Sequence, residues 1–169
     1  ATDVSMGLAG GPEAVTENLR KLGITDFRVD RLTGEILRDV FDLPGKATLE
    51  VVTEAYKTRP ELLTIQADAN PAFEADPRDH ATPLAMLQLL LAIDSGTAMS
   101  AESREFLLGV MSRTRTGDGR IKGLLPKGTP VAHKTGTTGG VANDVGYITL
   151  PDGRRFAIAV FTNSSKTSV

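Results

Sequence analysis

The sequence predicts an α+β fold in which helices pack against an antiparallel sheet, and three observations predict it. Helical spacing of apolar residues dominates the chain up to about residue 111, and three segments with strand character follow it. An Asp-Gly turn in LPDGRR joins the last two of those segments, a strong local signal for an antiparallel pair. Helices first and strands last point to a sheet covered by helices rather than to alternating βαβ units.

Each element can be justified in turn. GGPEAVTENLRKLG (10–23) has Pro12 near a helix start, Val15, Leu19 and Leu22 on one face, and Gly23 as a stop. Phe27 to Leu32 is a charged connector. In 37–60 a turn at Pro44-Gly45 precedes a helical pattern from Thr48 to Lys57. The stretch 64–83 holds Pro71, Pro77 and Pro83 among Asp and Asn, and reads as an irregular loop. Thr82 is then an N-cap with Pro83 at the first helical position, and PLAMLQLLLAIDSG (83–96) is apolar enough to be buried on most sides. Ser100 caps the next helix, which runs to Met111. After a turn-rich stretch come strands at Thr129–Thr137, Asn143–Leu150 and Arg155–Thr162. The last is nearly all apolar and is expected to lie centrally.

Composition narrows the function. At 169 residues and 40% hydrophobic the chain supports one packed domain, and its net charge of -2 offers nothing to nucleic acid. With no cysteine there is no disulfide or thiol chemistry, and His80 and His133 lack the spacing of a zinc site, so neither metal nor cofactor is expected. No stretch approaches the roughly 18 apolar residues of a membrane span.

The chemistry-bearing stretch is VAHKTGTTGG (131–140). If residues 131–137 pair with 144–150, then His133, Thr135 and Thr137 share one face of the strand and Lys134 and Gly136 the other. A glycine beside a lysine at a strand end leaves room for a ligand against the backbone. The plainer reading is an edge-strand lysine that blocks aggregation.

Several stretches together resemble class A β-lactamases, members of the active-site serine penicillin-recognising enzymes. Lys134-Thr135-Gly136 matches the family's K-T-G element in TGDGRIKGLLPKGTPVAHKTGTTGG. GGPEAVTENLRKLG with FRVDR, DPRDHATPLAMLQLLLAIDSG, and NDVGYITLPDGRRFAIAVFTN match three further stretches in the family's order. The likeness covers most of residues 1–32 and 76–169.

The resemblance implies a serine that opens a β-lactam ring, and an acyl-enzyme that water hydrolyses. Lys134 would supply positive charge to the substrate carboxylate and to the site's proton network. Thr135 would hydrogen-bond that carboxylate beside Gly136, and Arg120 would reach toward it. The Thr137 N–H would be an oxyanion donor. His133 is expected to be packed or exposed, not catalytic. Arg31 and Asp79 would form the ion pair that ties the ends of an omega loop, enlarged here by a probable insertion over 34–64. The position of the deacylating base falls on Gln66, with Asn70 after it, and glutamine cannot accept a proton at neutral pH. Glu35, Glu61, Asp68 and Glu74 are the alternatives.

Two departures bear on what the chain can do alone. No serine is followed three residues later by lysine, and S-D-N does not occur, so the nucleophile is expected outside these residues. By resemblance the chain is a partial β-lactamase-like domain without the family's N-terminal SxxK and SDN region and C-terminal helix. It would expose the apolar side of Phe156, Ile158, Val160 and Tyr147. The readings left open are a β-lactamase acting on β-lactams, a penicillin-recognising peptidase or esterase acting on peptidoglycan-like substrates with poor deacylation, and a non-catalytic piece. A complementary N-terminal segment is the partner this leaves open. The family implies a periplasmic or secreted protein.

Overall fold

A computed structural model describes residues 2–46, 48–62, 70–138 and 140–164. The chain divides into two compact units. One comprises residues 1–80, 137–142 and 162–169, and the other residues 81–136 and 143–161.

The first unit is helical. α1 (Thr2–Leu8) packs on α2 (Gly11–Lys21) and on α3 (Thr33–Val40), and α4 (Leu49–Thr58) packs on α3. Pro12 stands in the first turn of α2. At its other end the Gly23 N–H donates to the Arg20 carbonyl and the Ile24 N–H to Leu19. That pair of bonds needs the left-handed backbone that Gly23 adopts at φ 79°. The N-terminus of α3 is capped from a distance: Asp3 accepts the Thr33 and Gly34 amides at 2.7 and 3.0 Å. Thr48 caps α4 through the Val51 amide. Val40, Phe41, Leu43, Val52, Ala55 and Leu62 form a buried cluster, with Ile36, Leu37, Tyr56 and Phe73 packed against it. Phe41 and Tyr56 meet edge to face, with centroids 5.6 Å apart. A four-residue helix, α5 (Pro71–Glu74), occupies part of the stretch expected to be irregular. Asn70 caps it, accepting the Phe73 amide. Proline at the first helical position after an Asx cap is a start signal.

The second unit joins α6 (Pro83–Asp94) and α7 (Ala101–Ser112) to the sheet. Thr82 and Ser100 cap them as the sequence predicts, accepting the Ala85 and Ser103 amides. The strands are β1 (Val131–Thr138), β2 (Val141–Thr149) and β3 (Arg155–Val160), ordered β1-β2-β3. β2 and β3 run antiparallel from Asp144 opposite Val160 to Thr149 opposite Arg155. Between them the Gly153 N–H donates to Leu150 and the Leu150 N–H to Arg154, closing the Asp-Gly turn. β1 runs antiparallel to β2, with the Thr149 amide on the Pro130 carbonyl at one end and Gly136 beside Asn143 at the other. Gly146 permits this approach: a Cβ there would lie 2.1 Å from the Ala132 oxygen.

Two expectations are corrected. β3 lies at the sheet's edge among the described residues, and β2 is central. A tight hairpin obliges β3 to pair with β2, whatever its apolar content. Phe156 and Val160 are accordingly 53% and 42% exposed. Tyr147 is buried instead, because it points toward α6 and α7. There it joins Leu90 and Met111, and its hydroxyl donates to the Leu90 carbonyl at 2.6 Å.

Candidate functional site

Lys134 to Gly136 sit in the second unit, on the part of β1 that is covered by the turn-rich segment 114–122. Five contacts lace that segment to the strands. Thr114 Oγ1 donates to the His133 carbonyl at 2.6 Å, and Thr116 Oγ1 meets Thr135 Oγ1 at 2.6 Å. Arg120 Nη1 donates to the carbonyls of Gly136 at 3.1 Å and Asn143 at 2.8 Å. The Ile121 amide donates to Asp144 Oδ2 at 3.2 Å. The segment can lie this close because residue 117 is glycine. Its φ is 74°, and a Cβ would lie 2.6 Å from Thr135 Cγ2.

Alternation along β1 follows the pleat. His133 is fully buried, Lys134 and Gly136 are exposed, and Thr135 and Thr137 are half-buried. The Lys134 ammonium reaches back to the Thr135 carbonyl, so its charge stays at the exposed strand face. Arg120 is half-buried against the carbonyls it binds, which sets it apart from a freely solvated arginine. Gly136 differs from its neighbours. It has no left-handed φ, and a Cβ there would meet only the Asn143 Cβ, at an ordinary 3.9 Å. The fold itself does not require glycine at that position. Lys134, Arg120 and the hydroxyls of Thr116 and Thr135 are all held along residues 134–136 of β1, groups of the kind that bind a carboxylate.

A cavity of about 550 Å³ lies elsewhere in this unit, between α7 and the sheet, lined by residues such as Leu108, Gly109, Ala132, Tyr147 and Thr149. Lys134, Thr135 and Gly136 do not line it, so size alone does not mark the chemistry.

In the first unit Arg31 is a buried node. Its Nε donates to Asp79 Oδ2 at 2.5 Å, and its Nη1 approaches Asp39 at 2.7 Å and Asp76 at 3.3 Å. Asp79 also accepts the Asp30 and Arg31 amides, and the Asp79 amide donates to Asp30. Burial works against the Arg31 charge, but the hydrogen bonds it donates to Asp79 and Asp39 hold its pKa above the ordinary value. Asp39 is likewise desolvated, yet Arg38 and Arg31 keep it below the usual carboxylate range. Asp76 is held well below that range, chiefly by Arg78. Asp39 belongs to α3, so the Arg31–Asp79 pair also anchors the segment expected as an insertion.

Gln66 and Asp68 lie outside the described residues. Asn70 spends both ends of its amide locally, accepting from Phe73 and donating to the Val40 carbonyl at 3.2 Å. Glu35 accepts the Leu32 amide, Glu61 pairs with Arg59, and Glu74 accepts the Ser164 amide and hydroxyl. Among the described residues no group of three or more His, Cys, Asp or Glu could hold a metal ion. No helix there is long and apolar enough to cross a membrane. Sequence reasoning missed Thr116 and Asp144. Thr116 carries no local signal, whereas an aspartate inside an otherwise strand-like run was a legible one.

Comparison with known proteins bears on the family and the fold. The model of the "Beta-lactamase enzyme family" matches residues 1–168. β-Lactamase VEB-1 of Pseudomonas aeruginosa is 48% identical over 94 residues, which is 51% of this chain and 31% of that protein. CTX-M-25 of Escherichia coli is 33% identical over 158 residues, 92% of this chain and 43% of its own length. The crystal structure of a β-lactamase from Chitinophaga pinensis superposes with a TM-score of 0.69 at 28% identity, covering 99% of this chain and 52% of that one. This chain therefore spans about a third to a half of the length of these relatives. Together with the K-T-G strand and the α+β fold, the match shows that the chain belongs to the β-lactamase enzyme family, among its class A members.

Proposed function

We propose that the whole protein hydrolyses β-lactams through a serine acyl-enzyme, and that β1 supplies the substrate-binding wall of its site. Lys134, Thr135 and Arg120 bind the substrate carboxylate, and Lys134 also sets the local field for proton transfer. The Thr137 N–H is one donor to the oxyanion that forms as the ring carbonyl is attacked, a contribution typically worth about 10² to 10³ in rate. The observation that carries this reading is Gly136. It is exposed and free of any packing or backbone reason to be glycine, which supports a ligand lying against the strand. The serine and its activating lysine lie outside these residues, since no S-x-x-K occurs among them. Residues 34–64 are an insertion in the omega loop, which the separate buried cluster around Val52 and Leu62 supports. Export to the periplasm or the medium belongs to the same reading.

A second reading has its own support. Glu35 and Glu61 are engaged in local contacts and Glu74 is held by Ser164, and the deacylating position falls on Gln66. A penicillin-recognising peptidase or esterase that acylates readily and deacylates poorly fits that arrangement. Nitrocefin with the full-length protein separates the two. Steady turnover is expected for a β-lactamase, and a stoichiometric burst without turnover would sink that reading in favour of the second.

A further inference from the structure

The pair formed by His133 and Asp144 has no part in the proposed chemistry, yet it lies in the middle of the contacts that shape the site. Both residues are buried, and His133 Nδ1 stands 2.7 Å from Asp144 Oδ1. An ionised carboxylate offers acceptors only, and Oδ2 already takes the Ile121 amide, so Nδ1 is the donor. His133 Nε2 is buried with no hydrogen-bond partner among the described residues. A partly satisfied polar pair in a core is costly and is not selected for packing alone. Its connections suggest what it is for. His133 is the residue before Lys134, and its carbonyl takes the Thr114 hydroxyl. Asp144 follows Asn143, whose carbonyl takes Arg120 Nη1. Ile121, held by Asp144, follows Arg120. One carboxylate thus ties together β1, β2 and the segment that carries the arginine.

We propose that His133 and Asp144 are positioning residues that hold the Arg120 guanidinium in register with Lys134, so that both cations meet the substrate carboxylate at once. The proposal rests on the reading of Lys134 and Arg120 as carboxylate-binding groups. Neither His133 nor Asp144 touches substrate. Removing either leaves both cations present but lets the arginine leave its seat on the Gly136 and Asn143 carbonyls.

The test uses the full-length enzyme, a penicillin and the methyl ester of the same penicillin. The parent enzyme prefers the acid, and Arg120→Ala reduces that preference about tenfold, the effect of one charge-assisted hydrogen bond. His133→Leu and Asp144→Ala are expected to reduce the preference to a similar degree. Each combined with Arg120→Ala is expected to add little, because the residues act as one unit. His133→Asn, which keeps a donor near the Nδ1 position, restores most of the preference. If acid and ester lose rate equally in His133→Leu, or if the losses multiply in the double variants, the pair is only structural and the proposal fails while the β-lactamase reading stands. If the parent enzyme itself does not discriminate acid from ester, the carboxylate-binding reading fails. The Arg120 side-chain NMR signal then decides separately whether the pair seats the guanidinium. Slow solvent exchange in the parent, lost in Asp144→Ala, supports the seating, and unchanged exchange overturns it.

Discussion

Two glycines nineteen residues apart in the sequence make opposite predictions. Gly117 is held at φ 74° with the Thr135 methyl 2.6 Å from where a Cβ would stand. Gly117→Ala is expected to cost about 1–3 kcal/mol, read as a lower urea midpoint at unchanged slope. Gly136 has neither constraint, so Gly136→Ala should leave the midpoint within about 0.5 kcal/mol. In the full-length enzyme it should nevertheless lower kcat/KM for a β-lactam by about tenfold or more, since displacement of a bound substrate by a methyl group is costly to rate. A stable, fully active Gly136→Ala enzyme would remove the argument for a ligand against that strand. At this scale the sequence was most informative where alternation along a strand decides a side chain's face. It puts Lys134 and His133 on opposite faces of the strand but leaves open which face is covered; in the fold His133 is buried and Lys134 exposed. It could not show that Thr116 meets Thr135, because a contact across 19 residues has no periodic signature.

Elements with their own local signals were legible, and those held from a distance were not. Pro83 after Thr82, Ser100 before α7 and the Asp-Gly hairpin each act within a few residues, and each was read from them. α3 was missed because its cap comes from Asp3, some thirty residues earlier in the chain. Leu32, at its N-cap position, offers no side-chain acceptor. The apolar run of β3 suggested a central strand, but hydropathy reports burial and not which strand pairs with which. Leu62 is fully buried in the cluster with Val40, Phe41 and Val52. Leu62→Ala is expected to cost about 2–5 kcal/mol, the range for deleting a buried leucine side chain. Measured by urea unfolding, a loss below about 1 kcal/mol would mean that the cluster does not form a cooperative core.

Across the whole molecule acid acts chiefly on the first unit and alkali on both, since burial raises the Tyr56 phenol as well as, and less far than, that of Tyr147; the sign follows from which form each fold prefers. In the first unit Asp3, Asp30, Asp39 and Asp76 are all held below their ordinary pKa. For Asp3 and Asp39 desolvation opposes the shift and backbone amides or arginines outweigh it, whereas Arg28 leads for Asp30 and Arg78 for Asp76. A depressed carboxylate stabilises the fold above its unfolded pKa, roughly 3.9, and that contribution is lost as pH falls below it. In the second unit burial, with help from Asp94 and against Arg155, pushes the Tyr147 phenol up to about 12. Near neutrality the phenol is protonated in both folded and unfolded chains. Above about pH 10 only the unfolded chain ionises freely, so stability drains away as pH rises toward the folded value. The chain has two tyrosines and no tryptophan, and each unit holds one, Tyr56 half-buried against the core of the first and Tyr147 buried in the second. Tyr147→Phe leaves Tyr56 as the optical reporter of the first unit, and Tyr56→Phe leaves Tyr147 as that of the second. On acidification below about pH 4 the near-ultraviolet dichroism of Tyr56 is expected to collapse before that of Tyr147. On raising the pH above about 10 the order should reverse. If both reporters lose their signal together at both extremes, the units do not respond independently, and the Arg31 node and the Tyr147 hydroxyl are not the groups that set the limits.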